Sequence, residues 1–315
     1  MASPRRIDVH FHLIPPFYRD AVYAAGRGPA IGKYPEWSPE LALELMDRFG
    51  IAVALTSLAQ PGVGFGTPAS AQELARRCND YAGELCARWP NRFGAFATVP
   101  MASVDGAREE IAHCLDRLGM DGVSLFASYG EKFLGDPFFD PVLDMLDERG
   151  AVVFVHPGLH PSSKSLDLPW PSFMMEYLFD TTRAAVNLIF SGAIERFSRI
   201  RFILPHAGGV APYFTWRLSV SPMIDKRLPR LTREQIEAGL QHFWYDNALS
   251  PGEQTFGSLD NVARPERIVF GSDYPFANPD VIAEMVKTHA SGFLPDARRT
   301  AIDRTNALAL FPKYA

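Results

Sequence analysis

Eight short apolar runs recur along the chain, and a longer segment of mixed polar and apolar positions follows each of them. The runs are rich in Val, Ile and Phe and span residues 7–12, 52–58, 93–99, 122–127, 151–156, 200–205, 243–246 and 268–271. Continuous apolar runs of this length are typical of strands that are buried on both faces of a parallel sheet. The pattern therefore predicts eight parallel strands.

The segments between the runs have helical spacing. Ser38 and Pro39 supply a capping hydroxyl and a first-turn proline, and Gly50 ends the helix that they begin. The other predicted helices span residues 70–89, 107–118, 137–148, 173–197, 279–289 and 295–311. This alternation predicts an α/β fold, a single-domain (β/α)8 TIM barrel over residues 1–315, with an insertion after the first strand at about residues 13–37. A doubly wound sheet is the alternative, but it normally has fewer strands and a glycine-rich first turn.

Composition narrows the classes of partner. The chain has 31 Lys and Arg against 36 Asp and Glu, a net charge of −5, which argues against the basic face that a nucleic-acid surface needs. No apolar stretch is long enough to predict a membrane span, and the run after Arg5 and Arg6 is too short for a signal peptide. The 3 cysteines stand apart without a CxxC pair, so we expect a reduced, cytoplasmic environment.

Reactive side chains collect where the predicted strands end. His10 and His12 end the first strand, His156 ends the fifth, His206 follows the sixth, and Asp273 follows the eighth. Active sites of α/β barrels lie at these carboxyl ends. Taken singly, each residue could be a packed core histidine or a turn-capping aspartate. Together, in a chain with only 8 histidines, they predict one site for Zn²⁺ or a similar divalent ion.

The other polar candidates are weaker. Asp246 ends the seventh strand, where it could orient His206 or a bound water, or serve as a plain turn residue. His160 lies just beyond the fifth strand and could line the same site. The remaining three histidines fall in helical or loop positions and are expected to be structural or solvated: His113, His242 and His289.

Four motifs in this order carry a family resemblance: IDVHFH, FVHP, HAGG and GSDYPF. The chain resembles the amidohydrolase superfamily over nearly its whole length. Within it, the chain is most similar to the branch of aminocarboxymuconate-semialdehyde decarboxylase, close to aromatic acid decarboxylases of the 6-methylsalicylate type. The first motif is common to many metal hydrolases, whereas HAGG together with GSDYPF is more specific to this branch.

The resemblance implies roles for the residues that match its motifs. His10, His12, His156 and Asp273 would be the ligands of the metal, and Asp273 would also act in catalysis. His206 would lie beside the metal as an acid or base. The predicted fourth strand, in GVSLFASYG, lacks the lysine that bridges two metals in binuclear relatives. The resemblance therefore implies a single divalent ion, with Zn²⁺ preferred and Mn²⁺ as the alternative.

The resemblance also implies how substrate is held. Arg217 matches an arginine that binds a substrate carboxylate from the neighbouring subunit, so a homodimer is expected. Trp170 and Phe276 match residues that line the substrate pocket. Arg27 and Lys33 lie in the region of a second substrate-binding arginine, but neither is a clear counterpart. A small monocarboxylic acid is therefore favoured over a dicarboxylate.

Three functions stay open on the sequence. The first is non-oxidative decarboxylation of a small hydroxylated aromatic or related unsaturated acid, with Asp273 or a water on the metal as the proton donor. The second is metal-dependent hydrolysis of a lactone or a carbon–carbon bond in aromatic-compound degradation, with Asp273 as base. The third is a non-catalytic barrel in which the histidines pack without a metal, and metal analysis of the protein separates it from the other two.

Overall fold

Eight parallel strands form one continuous sheet in the computed structural model, which describes residues 5–165 and 169–315. Each strand is hydrogen-bonded to the next one along the chain. The strands are β1 (Arg6–His12), β2 (Ile51–Ser57), β3 (Phe93–Thr98), β4 (Gly122–Phe126), β5 (Val152–His156), β6 (Arg201–Leu204), β7 (Trp244–Asp246) and β8 (Ile268–Val269). All eight lie within two residues of the predicted runs at each end.

The sheet closes on itself because the segment that continues β8 pairs with β1. The amide of Val9 donates to the carbonyl of Phe270 at 3.0 Å, and the amide of Asp273 donates to the carbonyl of His10 at 2.8 Å. The last strand and the first are therefore neighbours, and the predicted (β/α)8 barrel is confirmed. The same contacts place the loop after β8 directly beside the histidine pair of β1.

Helices surround the barrel and connect consecutive strands. They are α1 (Pro16–Ala24), α2 (Pro39–Arg48), α3 (Pro68–Arg88), α4 (Val104–Ala112), α5 (Asp140–Glu148), α6 (Phe173–Phe190), α7 (Ala193–Arg196), α8 (Ala211–Ile224), α9 (Arg233–His242), α10 (Glu253–Leu259), α11 (Pro279–His289), α12 (Asp296–Thr300) and α13 (Asn306–Leu310). Among the described residues, no helix combines the length and the apolar character that crossing a bilayer demands.

The helices agree with the predicted ones where capping and spacing are strong. The Ser38 side chain accepts from the amide of Leu41 at 3.2 Å, and Pro39 begins α2 as predicted. The helix predicted over residues 173–197 is instead divided, because Gly192 has a φ of +72° between α6 and α7. The sequence pattern did not indicate α8, which contains two prolines and has no regular apolar stripe. The insertion after β1 contains α1.

An apolar cluster inside the barrel supports the carboxyl ends of the strands from below. The rings of Phe96 and Phe154 stack with 5.5 Å between their centroids. Phe154 also packs against the imidazole of His10 at 4.8 Å. These ring contacts pack the interior directly beneath the histidines.

A buried amide joins α3 to the end of β3. The Asn79 side chain donates to the carbonyl of Thr98 at 3.0 Å and accepts from its amide at 2.8 Å. It also donates to the carboxylate of Glu110 at 2.8 Å. All three partners are groups that need a hydrogen bond when they are removed from water.

We expect Asn79→Ala to lower the free energy of unfolding by about 2–4 kcal/mol, because it leaves these partners buried and unpaired. Urea denaturation followed by circular dichroism measures the change. The control is Asn261→Ala, because Asn261 is exposed and donates only to the carbonyl of Gly257. We expect that variant to change stability by less than about 0.5 kcal/mol. Equal effects of the two substitutions would contradict this reading of Asn79.

Candidate metal centre

Four histidines and one aspartate meet at the carboxyl ends of the strands. His10 and His12 lie on β1, His156 ends β5, and His206 follows β6. Asp273 lies in the loop after β8 that pairs with β1. All four imidazoles are buried, and the Asp273 side chain is only 13% exposed. The structure therefore brings together the five residues that the strand-end pattern selects.

The Asp273 carboxylate is the centre of the group. Its Oδ1 lies 3.1 Å from Nε2 of His12 and 3.3 Å from Nε2 of His10. Its Oδ2 lies 3.5 Å from Nε2 of His206. The ring of His156 completes the group, with 5.0 Å between its centroid and that of His12.

The outer nitrogens of two histidines are held by the protein. Nδ1 of His12 lies 3.1 Å from the hydroxyl of Ser57, and Nδ1 of His156 lies 2.7 Å from the carbonyl of Pro157. A carbonyl partner requires a proton on Nδ1 of His156. Its Nε2 is then the nitrogen that carries a lone pair, as a metal ligand must.

Asp246 organises two sides of the centre at once. Its Oδ2 lies 2.9 Å from Nδ1 of His10, and its Oδ1 accepts from the backbone amides of His206 and Ala248, each at 2.9 Å. His206 has a φ of +53° and Asp273 a φ of +63°, conformations that non-glycine residues rarely adopt. The bond to Asp246 helps to hold the strained His206 backbone. The sequence alone allowed Asp246 either to orient a neighbouring group or to stabilise a turn. In the structure it contacts His10 and His206 and also accepts from the turn amide of Ala248.

The carboxyl group of Asp8 and a glycine set the spacing between β1 and the loop after β8. Asp8 accepts from the amides of His10 and Ser272 at 3.0 and 3.1 Å. A Cβ added to Gly271 would lie 2.8 Å from Cβ of His10 and 3.2 Å from Cγ of Asp246, so only glycine fits there. This close approach explains why a glycine precedes Ser272 and Asp273 in the GSDYPF motif.

Burial and neighbouring charges determine the protonation of the centre. Burial lowers the pKa of His10, but the carboxylates of Asp246 and Asp273 outweigh it and raise that pKa to about 10. Burial lowers the pKa of His12, and burial and the adjacent imidazoles lower the pKa of His156 well below its ordinary value. Burial raises the pKa of Asp273, but the adjacent imidazoles outweigh it and bring that pKa well below its usual range. Asp273 is therefore a carboxylate, and His12 and His156 are neutral, at pH 7.

These donors fit a divalent ion. Nitrogen atoms of His10, His12 and His156 lie within 4.8 Å of one another, and the set His10, His206 and Asp273 meets the same limit. Nε2 of His10 is buried and makes no well-aligned hydrogen bond, although Oδ1 of Asp273 lies 3.3 Å away, and a metal would satisfy this atom. Neutral imidazoles with one carboxylate are a donor set for zinc and similar ions. His10, His12, His156 and Asp273 are the residues that would hold the ion.

A cavity of about 350 Å³ opens above the centre. Asp273, His156 and His206 form its polar end. The remaining walls are largely apolar and come from the insertion after β1, the loops after β2, β7 and β8, and helices α6 and α11. Among the described residues that line the cavity, none is a lysine or an arginine.

The other predicted site residues divide between the cavity and the surface. Phe276 lines the cavity, and its ring centroid lies 5.3 Å from that of His12. Trp170 is 45% exposed and is not among the described lining residues. Arg217 lies on the exposed face of α8, also outside the lining. His160 stacks on Phe133 at 4.9 Å and does not line the cavity.

The sequence alone did not indicate Gln60, which forms a polar pair with Tyr177 in the cavity wall. The Tyr177 hydroxyl donates to Oε1 of Gln60 at 2.9 Å, and both residues line the cavity. Tyr177 is also adjacent to the centre, with 6.3 Å between its ring and that of His156. Gln60 could not be selected from the sequence because it follows an ordinary apolar strand without a recognisable motif. Tyr177 lies at helical spacing from Phe173, which is equally typical of a core residue.

Comparison with known proteins gives the family. The Amidohydrolase family model matches residues 7–313. The chain belongs to this family. A 6-methylsalicylic acid decarboxylase of Aspergillus aculeatus is 37% identical over 98% of this chain and 96% of its own. A gamma-resorcylate decarboxylase of Rhizobium radiobacter is 30% identical over 85% of each chain.

A solved structure agrees with these relatives. The 2,6-dihydroxybenzoate decarboxylase complexed with 2,6-dihydroxybenzoate has a TM-score of 0.80 and 26% identity, over 99% of this chain and 100% of the other. The predicted branch of the amidohydrolases is therefore confirmed, and so is the predicted class of enzyme, a metal-dependent carboxy-lyase. These relatives give no support to the hydrolase or to the non-catalytic barrel.

We expect Zn²⁺ to displace about one proton from the metal-free protein at pH 7, because His10 has a pKa of about 10 while His12 and His156 are already neutral. The proton of His10 is present below that pKa, so apparent metal affinity should rise by about tenfold per pH unit up to it. Titration calorimetry in buffers of different ionisation enthalpy measures the number of protons released. The same titration at several pH values measures the pH dependence of the affinity.

Asp246→Asn removes the charge beside His10 and leaves one oxygen, which cannot accept both from Nδ1 of His10 and from the backbone amides of His206 and Ala248. We expect metal affinity to fall about 10–100-fold and its pH dependence to flatten. Asp280→Asn is the matched control, because Asp280 is exposed at the start of α11. Unchanged affinity and pH slope in Asp246→Asn would refute the role given to this carboxylate.

Proposed function

We propose that this carboxy-lyase removes CO₂ from a hydroxylated aromatic monocarboxylic acid of the 6-methylsalicylic acid type. The composition of the cavity supports this proposal. It has one polar end, formed by the metal-binding residues, and aromatic and aliphatic walls with no lysine or arginine among the described lining residues. The lining residues of the same chain offer no counter-charge for a second carboxylate, and burying one unpaired has a high free-energy cost. One carboxylate and an apolar ring match the available partners.

When bound, a divalent ion would supply electrostatic attraction for the substrate carboxylate and for the oxygen of a hydroxyl group on the adjacent ring carbon. Phe276 lies on the His12 side of the cavity, and Tyr177 lies on the His156 side. These two rings flank the space beside the carboxylate end and suit an aromatic substrate. The apolar walls exclude water from the reacting carbon.

The reaction needs a proton on the ring carbon that carries the carboxylate. The bond to the carboxylate carbon then breaks, CO₂ leaves, and its electron pair restores the aromatic ring. We assign the delivery of this proton to Asp273. Because Asp273 is held as a carboxylate, it must first receive the proton, and Nε2 of His206 lies 3.5 Å from its Oδ2. His206 is therefore assigned the role of resupplying Asp273.

We expect Asp273→Asn to lower kcat for 6-methylsalicylic acid by about a thousandfold or more, because it removes the proton carrier and a charged metal ligand. Labelled CO₂ released from carboxyl-labelled acid measures turnover. Asp280→Asn serves as the control and should keep the rate of the parent enzyme. A rate near that of the parent in Asp273→Asn would overturn the assignment, as would release of acid from lactones without any CO₂ from ring acids.

The proposed ion is a single Zn²⁺, with Mn²⁺ as the competing choice. Three imidazoles and one carboxylate form a donor set that zinc accepts in open catalytic sites. Manganese prefers a larger share of oxygen ligands. Chelator-treated protein reloaded with each ion separately, and assayed for CO₂ release, decides between them.

We propose that the enzyme is a homodimer in which α8 of each copy completes the site of the other. Four large apolar side chains on α8 are 67–84% exposed: Tyr213, Trp216, Met223 and Ile224. Apolar side chains clustered this way on one helix favour a protein interface. Arg217 lies among them, and the cavity has no cation of its own among the described lining residues.

The dimer proposal is tested with two inactive variants. We expect Arg217→Ala to lose activity while its metal content is unchanged. When it is mixed with Asp273→Asn and allowed to exchange subunits, about a quarter of the parent activity should return, because mixed dimers hold one intact site. No recovery after verified exchange would mean that Arg217 does not serve the partner's site.

A further inference from the structure

One buried carboxylate lies outside the metal centre and has no role in the reaction described above. Asp180 lies in the middle of α6 and is completely buried. A carboxylate removed from water is costly unless its oxygens accept hydrogen bonds. Oδ2 of Asp180 accepts from the backbone amide of Gly158 at 2.7 Å, and Oδ1 accepts from the hydroxyl of Ser128 at 2.9 Å. Asp180 therefore ties α6 to the segments that follow β5 and β4.

The contact with Gly158 reaches a metal-binding residue through a single peptide unit. The carbonyl of Pro157 and the amide of Gly158 belong to the same planar unit and point to opposite sides of it. Nδ1 of His156 lies 2.7 Å from that carbonyl. A continuous chain of hydrogen bonds therefore runs from the carboxylate of Asp180, across the 157–158 peptide, to the imidazole of His156.

His10 receives the same kind of support directly, because Oδ2 of Asp246 lies 2.9 Å from its Nδ1. A carboxylate behind a metal-binding imidazole determines which ring nitrogen carries the proton, orients the ring and raises its basicity. Hydrogen bonds in a chain polarise one another, so an amide that donates to a carboxylate makes the carbonyl of its own peptide a stronger acceptor. Asp180 is therefore placed to act on His156 as Asp246 acts on His10, at a distance of one peptide unit.

We propose that Asp180 is a positioning residue of the metal centre, which holds the 157–158 peptide so that the proton of His156 stays on Nδ1 and Nε2 is left for the metal. Without this hold the carbonyl of Pro157 is free to turn away. The proton can then move to Nε2, and a protonated nitrogen cannot bind a metal. The inference rests on the proposed metal site, but it does not depend on which ring acid is the substrate.

The metal-free protein gives the most direct test, because ring nitrogen NMR shifts distinguish the two tautomers of a neutral imidazole. We expect His156 of the parent protein to carry its proton on Nδ1 at pH 7. The signals that His156→Gln removes give the assignment. In Asp180→Ala we expect a mixture of the two tautomers, whereas the signals of His10, which Asp246 supports, should not move.

Metal affinity is the second readout. We expect Asp180→Ala to bind Zn²⁺ about tenfold more weakly, at the lower end of the range for residues that support a ligand, because the support passes through a peptide. Asp180→Asn keeps an oxygen that can accept from the amide of Gly158. It should recover the affinity to within about threefold of the parent value.

Asp121→Ala is the matched control, because Asp121 has the same kinds of partner at the opposite end of the barrel. Its side chain is 3% exposed, and Oδ2 accepts from the backbone amide of Ala95 and from the hydroxyl of Tyr314. It directly precedes β4, whereas the metal centre lies where the strands end. Loss of this carboxylate should leave the tautomer of His156 and the Zn²⁺ affinity unchanged.

Three results would overturn the inference: a parent protein with the His156 proton on Nε2, a folded Asp180→Ala variant with the parent tautomer and affinity, or equal effects of Asp180→Ala and Asp121→Ala. The first measurement needs no change at Asp180, so it decides even if Asp180→Ala does not fold. Failure of the proposed metal site would instead be undiminished Zn²⁺ binding by His156→Gln. Failure of the proposed reaction would be the absence of CO₂ from every ring acid.

Discussion

The buried contact between one carboxylate and the imidazoles around it is the constraint on which the rest of the site depends. A charge removed from water must be paired, and Asp273 is paired with His10, His12 and His206. The pairing holds only if β1, the end of β6 and the loop after β8 stay in register. Closure of the barrel between β8 and β1, the contacts of Asp8 and Asp246, and the absence of a side chain at Gly271 all serve that register.

The same pairing explains why the buried end of the cavity is polar while its walls are apolar. The positive charge that a carboxylate substrate needs is concentrated at the buried end, where the metal would lie, and the walls can therefore be apolar. Phe276 and Tyr177 then have an aromatic ring as their natural occupant.

Much of this arrangement could be predicted from the sequence, because barrels carry their chemistry at strand ends. Apolar runs located the eight strands, and the polar residues that ended them located His10, His12, His156, His206 and Asp273. The pattern could not predict contacts between residues that are far apart in the sequence. Gln60 follows a strand but belongs to no recognisable motif. The two prolines of α8 obscured its helical pattern in the sequence. The choice between the two roles of Asp246 needed the distances to His10 and His206.

We propose that His10, His12, His156 and Asp273 together hold one divalent ion. Anomalous diffraction from crystals of the Mn²⁺-loaded enzyme, recorded on both sides of the manganese edge, is the sharpest test. A single peak is expected at about 2.0–2.3 Å from Nε2 of the three histidines and from the carboxylate of Asp273. Two peaks in the cavity, or a peak away from these four residues, would refute this assignment.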